Sequence, residues 1–252
     1  MANDYFQFQQ FTVRQELCAM KVDTDGTLLG AWANSPGVNI LDIGTGTGLI
    51  ALMMAQRFPQ AQVTGIDIDP LAVKQARDNV AASPFADRIT IVEGDVSGSW
   101  GQAPDPILGQ RACPHDPACP MTHFDAIVCN PPYFDASLES PDAQRTLARH
   151  TSSLSYRQLM ASAWQLLSDD GELSVVIPFD CKARLEAEAI LTGFHKVRTC
   201  AVHTTTKKPP RRFLMAFRKH SPTPSSEGRE AEVLVIGSEA YNELTKNFYL
   251  KK

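Results

Sequence analysis

No stretch of this 252-residue sequence approaches the roughly 20 consecutive apolar residues that a membrane-spanning helix requires, so a helical span is excluded. The start, MANDYFQFQQF, lacks a basic segment followed by an apolar one, so no secretory leader is read there and the expected location is the cytoplasm. Paired cysteine spacings are missing as well. Cys18, Cys113, Cys119, Cys129, Cys181 and Cys200 are scattered through a chain long enough to build its core without disulfides, and they read as free thiols. Cys113-Pro-His115-Asp-Pro-Ala-Cys119 puts two thiols and an imidazole in one loop, but no fourth ligand at zinc-type spacing accompanies them and no metal is expected. Acid is absent from Phe194 to Ser226, although the formal net charge of the whole chain is -4. Lys196, Arg198, Lys207, Lys208, Arg211, Arg212, Arg218 and Lys219 fall in that stretch, which makes it a candidate phosphate-contacting face; a solvated basic hairpin is the plainer reading.

What is present is an alternation. Val38 to Ile43 is a short apolar run ending in glycines, and Leu49 to Ala55 follows with unbroken helix formers: a strand, a tight turn and a helix. Val63 to Ile68 is a second strand, after which Asp69 caps a helix starting at Pro70, with Leu71, Val73, Ala76 and Val80 on its expected buried face. Ile89 to Val92, Phe124 to Cys129 and Leu173 to Ile177 read as further strands. A helix over Tyr156 to Leu167 precedes the last of these, with Ser155 and Gln158 forming a capping box. This order predicts an α/β fold with a mostly parallel sheet covered on both faces, and a functional edge beyond the carboxyl ends of the strands. Lys196 to Thr204 and Phe213 to Phe217, joined through Pro209-Pro210, predict an antiparallel hairpin closing the sheet edge. A last strand at Val233 to Ile236 and a helix capped by Ser238 end the pattern. One domain over 1–252 is expected, with 1–36 as an amino-terminal cap and the proline-rich stretch 97–122 as an inserted loop.

The motifs sit at the strand ends. Asp42-Ile43-Gly44-Thr45-Gly46-Thr47-Gly48 spans the first strand-to-helix turn, where glycines let the backbone come close to a ligand. The spacing is GxGxG rather than GxGxxG, which argues against the usual pyrophosphate cradle of a dinucleotide-dependent oxidoreductase. Asp67 ends the second strand, where an acid can accept hydrogen bonds from ribose hydroxyls. Asp95 follows the third, where a carboxylate can accept from an adenine amino group. Together these describe a pocket for a nucleoside with an uncharged linker, which suits S-adenosyl-L-methionine.

Asn130-Pro131-Pro132-Tyr133 follows the fourth strand directly. Two prolines fix an extended, rigid turn. The Asn130 side-chain carbonyl and the Pro131 backbone carbonyl can then accept the two N–H groups of a planar amine while Tyr133 stacks on the base, so that the nitrogen lone pair is freed for methyl transfer. A plain Asx-Pro turn is the structural alternative.

With these residues the chain resembles the class I methyltransferases of Rossmann-like fold that carry an NPPY motif. More narrowly, it resembles the bacterial tRNA-1(Val) (adenine-37-N6)-methyltransferase family. Cys18 to Trp32, CAMKVDTDGTLLGAW, looks like that family's amino-terminal signature, and Ser238-Glu-Ala-Tyr with Asn247-Phe-Tyr249 looks like its ending. The resemblance implies that Asp42, Gly44, Gly46, Gly48, Asp67 and Asp95 bind S-adenosyl-L-methionine, that Asn130, Pro131 and Tyr133 act on the target base, and that Thr24-Asp25-Gly26 helps close the pocket. It implies a tRNA substrate; Lys207, Lys208, Arg211 and Arg212 of the basic stretch are expected on its phosphates, and a monomer is the default. The loop around Gly101 to Met121 looks longer than the family usually has. A planar glutamine amide in a protein and the exocyclic amine of a guanine in ribosomal RNA are the competing targets; only about forty residues precede the glycine turn, too few for the recognition domain that protein glutamine methyltransferases usually carry.

Overall fold

The computed structural model describes residues 4–18, 20–97, 123–131, 154–221 and 231–250. Thus Cys113, His115, Cys119, Pro132, Tyr133 and all of the proposed inserted loop except Ser97 lie outside the described residues. The elements in chain order are β1 (Tyr5–Gln7), β2 (Thr12–Arg14), α1 (Thr24–Trp32), β3 (Asn39–Ile43), α2 (Leu49–Arg57), β4 (Gln62–Asp67), α3 (Pro70–Ala81), β5 (Ile89–Glu93) and β6 (Phe124–Cys129). They continue with α4 (Tyr156–Leu166), β7 (Leu167–Pro178), a 3-10 turn (Phe179–Cys181), α5 (Lys182–Thr192), β8 (His195–His203), β9 (Arg212–Arg218), β10 (Glu232–Val235) and α6 (Glu239–Thr245). No helix among the described residues is long and apolar enough to cross a membrane.

Eight strands form one sheet in the order β10-β8-β9-β7-β6-β3-β4-β5, and β9 alone runs antiparallel to its neighbours. Because successive strand residues point to opposite faces, each strand feeds two cores. Ile40, Ala126 and Val128 pack with Leu28, Leu52 and Val73 from α1, α2 and α3. Leu41, Ile43, Ile127 and Cys129 pack on the other face with Leu159 and Leu185 from α4 and α5. The expected Rossmann-like architecture is therefore present, with one correction: the β8–β9 hairpin does not close the sheet, because β10 pairs in parallel outside β8.

Local chemistry explains the boundaries. The Ser155 hydroxyl accepts from the Gln158 N–H while the Gln158 side chain accepts from Ser155 N–H, which completes the capping box. Asp69 caps α3 as expected, with Pro70 at its first position. Leu71, however, is 53% exposed, so the buried face of α3 begins at Ala72 and Val73 instead.

α1 has no amphipathic stripe, because Gly26 through Trp32 are all buried. Its glycines account for the close fit. A Cβ on Gly30 would lie 2.7 Å from the Met53 sulfur, and one on Gly26 would lie 3.2 Å from Leu49, so α1 rests directly on α2 at two positions one helical turn apart. The segment before it is stitched to α3: Asn79 accepts from Arg14 N–H and donates to the carbonyls of Arg14 and Thr47, and Gln75 accepts from Leu17 N–H. One side chain thereby holds both the amino-terminal segment and the glycine turn.

Candidate active site

The three glycines after β3 all adopt positive φ (69°, 55° and 81° at Gly44, Gly46 and Gly48), but they do different jobs. A Cβ on Gly44 would meet nothing within 4 Å, and one on Gly46 would meet only the Gly44 carbonyl oxygen at 3.9 Å. These two line open space. Gly48 is the N-cap of α2, and a Cβ there would make only ordinary contact with Ala76 of α3 at 3.4 Å, so its left-handed backbone rather than close packing calls for glycine.

The turn is held from both sides. Gly44 and Thr45 N–H donate to the Ile66 carbonyl (2.8 and 3.0 Å), and Gly46 N–H donates to Asp67 Oδ2 (2.8 Å). Beneath it Asp42 is wholly buried; its Oδ2 accepts from the Thr45 hydroxyl (2.7 Å) and Ala51 N–H (3.1 Å), while its Oδ1 has no partner among the described residues. Burial pushes the Asp42 carboxyl up to about 7 against the pull of those two hydrogen bonds. A buried acceptor with no partner among the described residues, under a hollow glycine turn, fits a ligand that brings a hydrogen-bond donor.

Asp67 stands at the carboxyl end of β4, next to β3. Its Oδ1 accepts from Asp69 N–H (3.0 Å), and each oxygen keeps a further lone pair for a hydroxyl. Asp95, beyond β5, is exposed and accepts from the Ser97 N–H and hydroxyl, both at 2.8 Å, through Oδ1. Ile68, which sequence reading passed over, is 51% exposed beside Asp67, and half-buried Val96 follows Asp95. Apolar side chains next to each acid suit the faces of a flat ring; the signal for them was simply their place after strand-end carboxylates. Cys18 lies near Asp67 and Asp69, and burial, aided by those carboxylates, raises its thiol to about 11. Burial also drives the Cys129 thiol well up, so neither is a thiolate nucleophile at neutral pH.

Asn130 and Pro131 emerge from β6, the other neighbour of β3. The connections run to opposite sides of the sheet here, and such a reversal opens a crevice at the carboxyl edge. Pro131 is buried and Asn130 half-buried. The first turn of α1 stands against Asn130: its Nδ2 is 3.9 Å from where a Cβ on Gly26 would be. Asp23 caps that turn through the Gly26 N–H at 2.8 Å, and burial pushes its carboxyl up in spite of that bond. Arg212 Nε donates to Asp25 Oδ2 at 2.5 Å. Thr24-Asp25-Gly26, expected to help close the pocket, thus forms a wall beside the amide.

The cations of the acid-free stretch divide into three groups. At the amino end of the sheet Lys196 pairs with Glu186, Lys219 with Asp169, and Arg198 and Arg218 share Glu172, which is 1% exposed. Those four are structural rather than phosphate-facing. Lys207, Lys208 and Arg211 lie in the β8–β9 connection at the carboxyl edge, exposed and without an ion pair to any described residue. Arg212 differs from them, being half-buried and fastened to Asp25.

Residues 40–106 match the family model described as a methyltransferase domain. The chain is 43% identical to the tRNA1(Val) (adenine(37)-N6)-methyltransferase of Bacteroides thetaiotaomicron, with 99% of each chain covered. It is 44% identical to the protein of the same name from Phocaeicola vulgatus, again with 99% of each covered. The chain belongs to the tRNA1(Val) (adenine(37)-N6)-methyltransferase family. Among solved structures, a predicted O-methyltransferase from Agrobacterium tumefaciens superposes with a TM-score of 0.59 at 21% identity, covering 89% of this chain and 96% of that one, which supports the Rossmann-like methyltransferase fold for this family member.

Proposed function

We propose that this protein transfers a methyl group from S-adenosyl-L-methionine to the exocyclic N6 of an adenine in tRNA, as the name of its relatives states for adenine 37 of tRNA1(Val). The observation that carries this reading is the juxtaposition of two half-sites: a hollow turn with an orphaned carboxylate oxygen on β3, and Asn130-Pro131 on the adjacent strand β6.

The residues present fit the cofactor. The space over Gly44 and Gly46 with Asp42 Oδ1 beneath suits its amino-acid end, Asp67 its ribose hydroxyls, and Asp95 with Ile68 and Val96 its adenine. When bound, S-adenosyl-L-methionine supplies a methyl group on a positively charged sulfur that departs as a neutral thioether. Asn130 Oδ1 and the Pro131 carbonyl accept the two N–H groups of the target amine and favour a pyramidal nitrogen, whose lone pair then forms the new N–C bond. The nitrogen sheds a proton only after methylation makes it acidic, so no base is required before attack. Tyr133 stacks on the target base in this reading. The whole chain, 1–252, works as one monomeric cytoplasmic unit, with 1–36 capping the site: Asp25 to Arg212 and Trp32 to Glu232 (2.8 Å) tie that cap to the far strands.

The test is product identification. The protein is incubated with methyl-labelled S-adenosyl-L-methionine, bulk tRNA, ribosomal RNA and release-factor protein, and each fraction is digested to nucleosides or amino acids. Labelled N6-methyladenosine from tRNA is expected; label found only in methylglutamine or in a guanosine from ribosomal RNA overturns the proposal.

A further inference from the structure

Lys207, Lys208 and Arg211 carry no ion pair among the described residues, and next to them stands an aromatic ring that the mechanism does not use. Phe179 follows β7 immediately, and β7 is the strand beside β6. The register Cys129↔Val175, continued by two residues, sets Ile177 level with Pro131. Neighbouring strands lie about 4.8 Å apart, so Phe179 stands just past the acceptor turn on its far side from the glycine turn. Its side chain is 48% exposed.

This ring is held rather than loose. It stacks on buried Phe213 with centroids 5.9 Å apart and planes 28° from parallel, and Lys182 Nζ stands 5.5 Å from the Phe213 ring centre. The Phe179 N–H donates to the Arg211 carbonyl at 3.0 Å, while the Arg211 N–H donates to the Val202 carbonyl at 2.8 Å. Those two bonds register the cationic connection against the aromatic. Asp180, next in the chain, is exposed and acidic, and three cations outweigh it.

We propose that Phe179, with Lys207, Lys208 and Arg211, forms a stacking subsite for an unpaired nucleotide adjacent to the target base. The inference rests on the RNA reading above and deepens it, since it requires the substrate to be presented as an unstacked single-stranded segment rather than as a duplex. A base lies on the free face of Phe179 while its flanking phosphates meet the cations, the combination by which single strands are gripped. A protein ligand for the exposed ring fits less well, because three cations beside it with no ion pair among the described residues favour a polyanion.

The experiment is a binding cycle at fixed salt. An RNA hairpin carrying the target adenine in its loop is prepared intact and with an abasic site at the 5′ or the 3′ neighbour. Each is titrated against the full-length wild type, Phe179→Leu and Phe179→Trp. Stacking on an aromatic side chain is worth about tenfold in affinity. Wild type is expected to bind one abasic RNA about tenfold more weakly than the intact hairpin. Phe179→Leu should bind the intact RNA about tenfold more weakly and be indifferent to the abasic site, and Phe179→Trp should restore both the affinity and the discrimination. Wild type that ignores both abasic sites overturns the subsite whether or not a variant folds, and Phe179→Leu that binds intact RNA like wild type does the same, leaving the ring to a protein partner. Methylation of the intact hairpin by wild type is measured first: its absence strikes the activity proposed above, whereas normal methylation with indifferent Phe179 strikes this subsite alone.

Discussion

The two flanks of β6 were built by different rules. On the β3-β4-β5 side each functional residue stands at a strand end and is held by neighbours from the same or the next turn: Gly46 by Asp67, Asp67 by Asp69, Asp95 by Ser97. On the β7-β9-β8 side the role of a cation depends on which acid the fold brings to it. Arg198 and Arg218 meet Glu172 across 26 and 46 residues, and Arg212 meets Asp25 across 187. Identical residue types in one short stretch therefore separate into structural, positioning and solvent-facing groups, and their spacing does not announce which is which.

That contrast can be broken by mutation. Among variants of the basic flank, the largest effect is expected when Lys207, Lys208 and Arg211 are all changed to alanine: tRNA affinity falls roughly a hundredfold at low salt, and the slope of log affinity against log salt becomes shallower by about 2, as for three lost contacts to a single strand. Titrations at several salt concentrations check this, and an unchanged slope places the phosphates elsewhere. Next comes Arg212→Ala, expected to slow methyl transfer about tenfold, the usual scale for losing one charge-assisted contact, while leaving the salt slope unchanged. Asp25→Ala should match it, and the double variant should be no worse than either single one; a steeply altered salt slope for Arg212→Ala makes it a phosphate contact after all.

The same contrast sets what was legible in the sequence. The glycine turn, the strand-end acids, the capping box at Ser155 and the Asp69-Pro70 helix start could all be read because each is a local pattern with a local physical cause. α1 was not read as a helix, since its burial on all sides erases helical periodicity, and its two glycines become intelligible only once Met53 and Leu49 are seen against them. Gly26 beside Asn130, the half-exposed Phe179 and the outer position of β10 are likewise products of tertiary packing. Leu71 shows the converse, a residue whose period was right and whose position at a helix start left it outside the core.

The smallest expected effect concerns the cofactor side. Because burial holds the Asp42 carboxyl at about 7 when folded, well above its ordinary value, the folded chain binds more protons than the unfolded one between about pH 4 and 7. Stability is therefore lost through this group as pH rises across that window, and is levelled above it. Asp42→Asn, which keeps an oxygen for Thr45 and Ala51 but cannot ionise, should show a flatter melting temperature from pH 5 to pH 8 than wild type. Parallel profiles contradict the assignment.

The most direct test of the whole account is to measure two quantities on Asn130→Ala, the single-turnover rate of methyl transfer at saturating cofactor and the equilibrium affinity for tRNA. The acceptor role predicts a rate lower by on the order of a thousandfold, the scale of losing a donor or acceptor that acts on the reacting group, with affinity within about threefold of wild type. A variant that still transfers methyl groups at near wild-type rate, or that loses its rate only because it no longer binds tRNA, contradicts it.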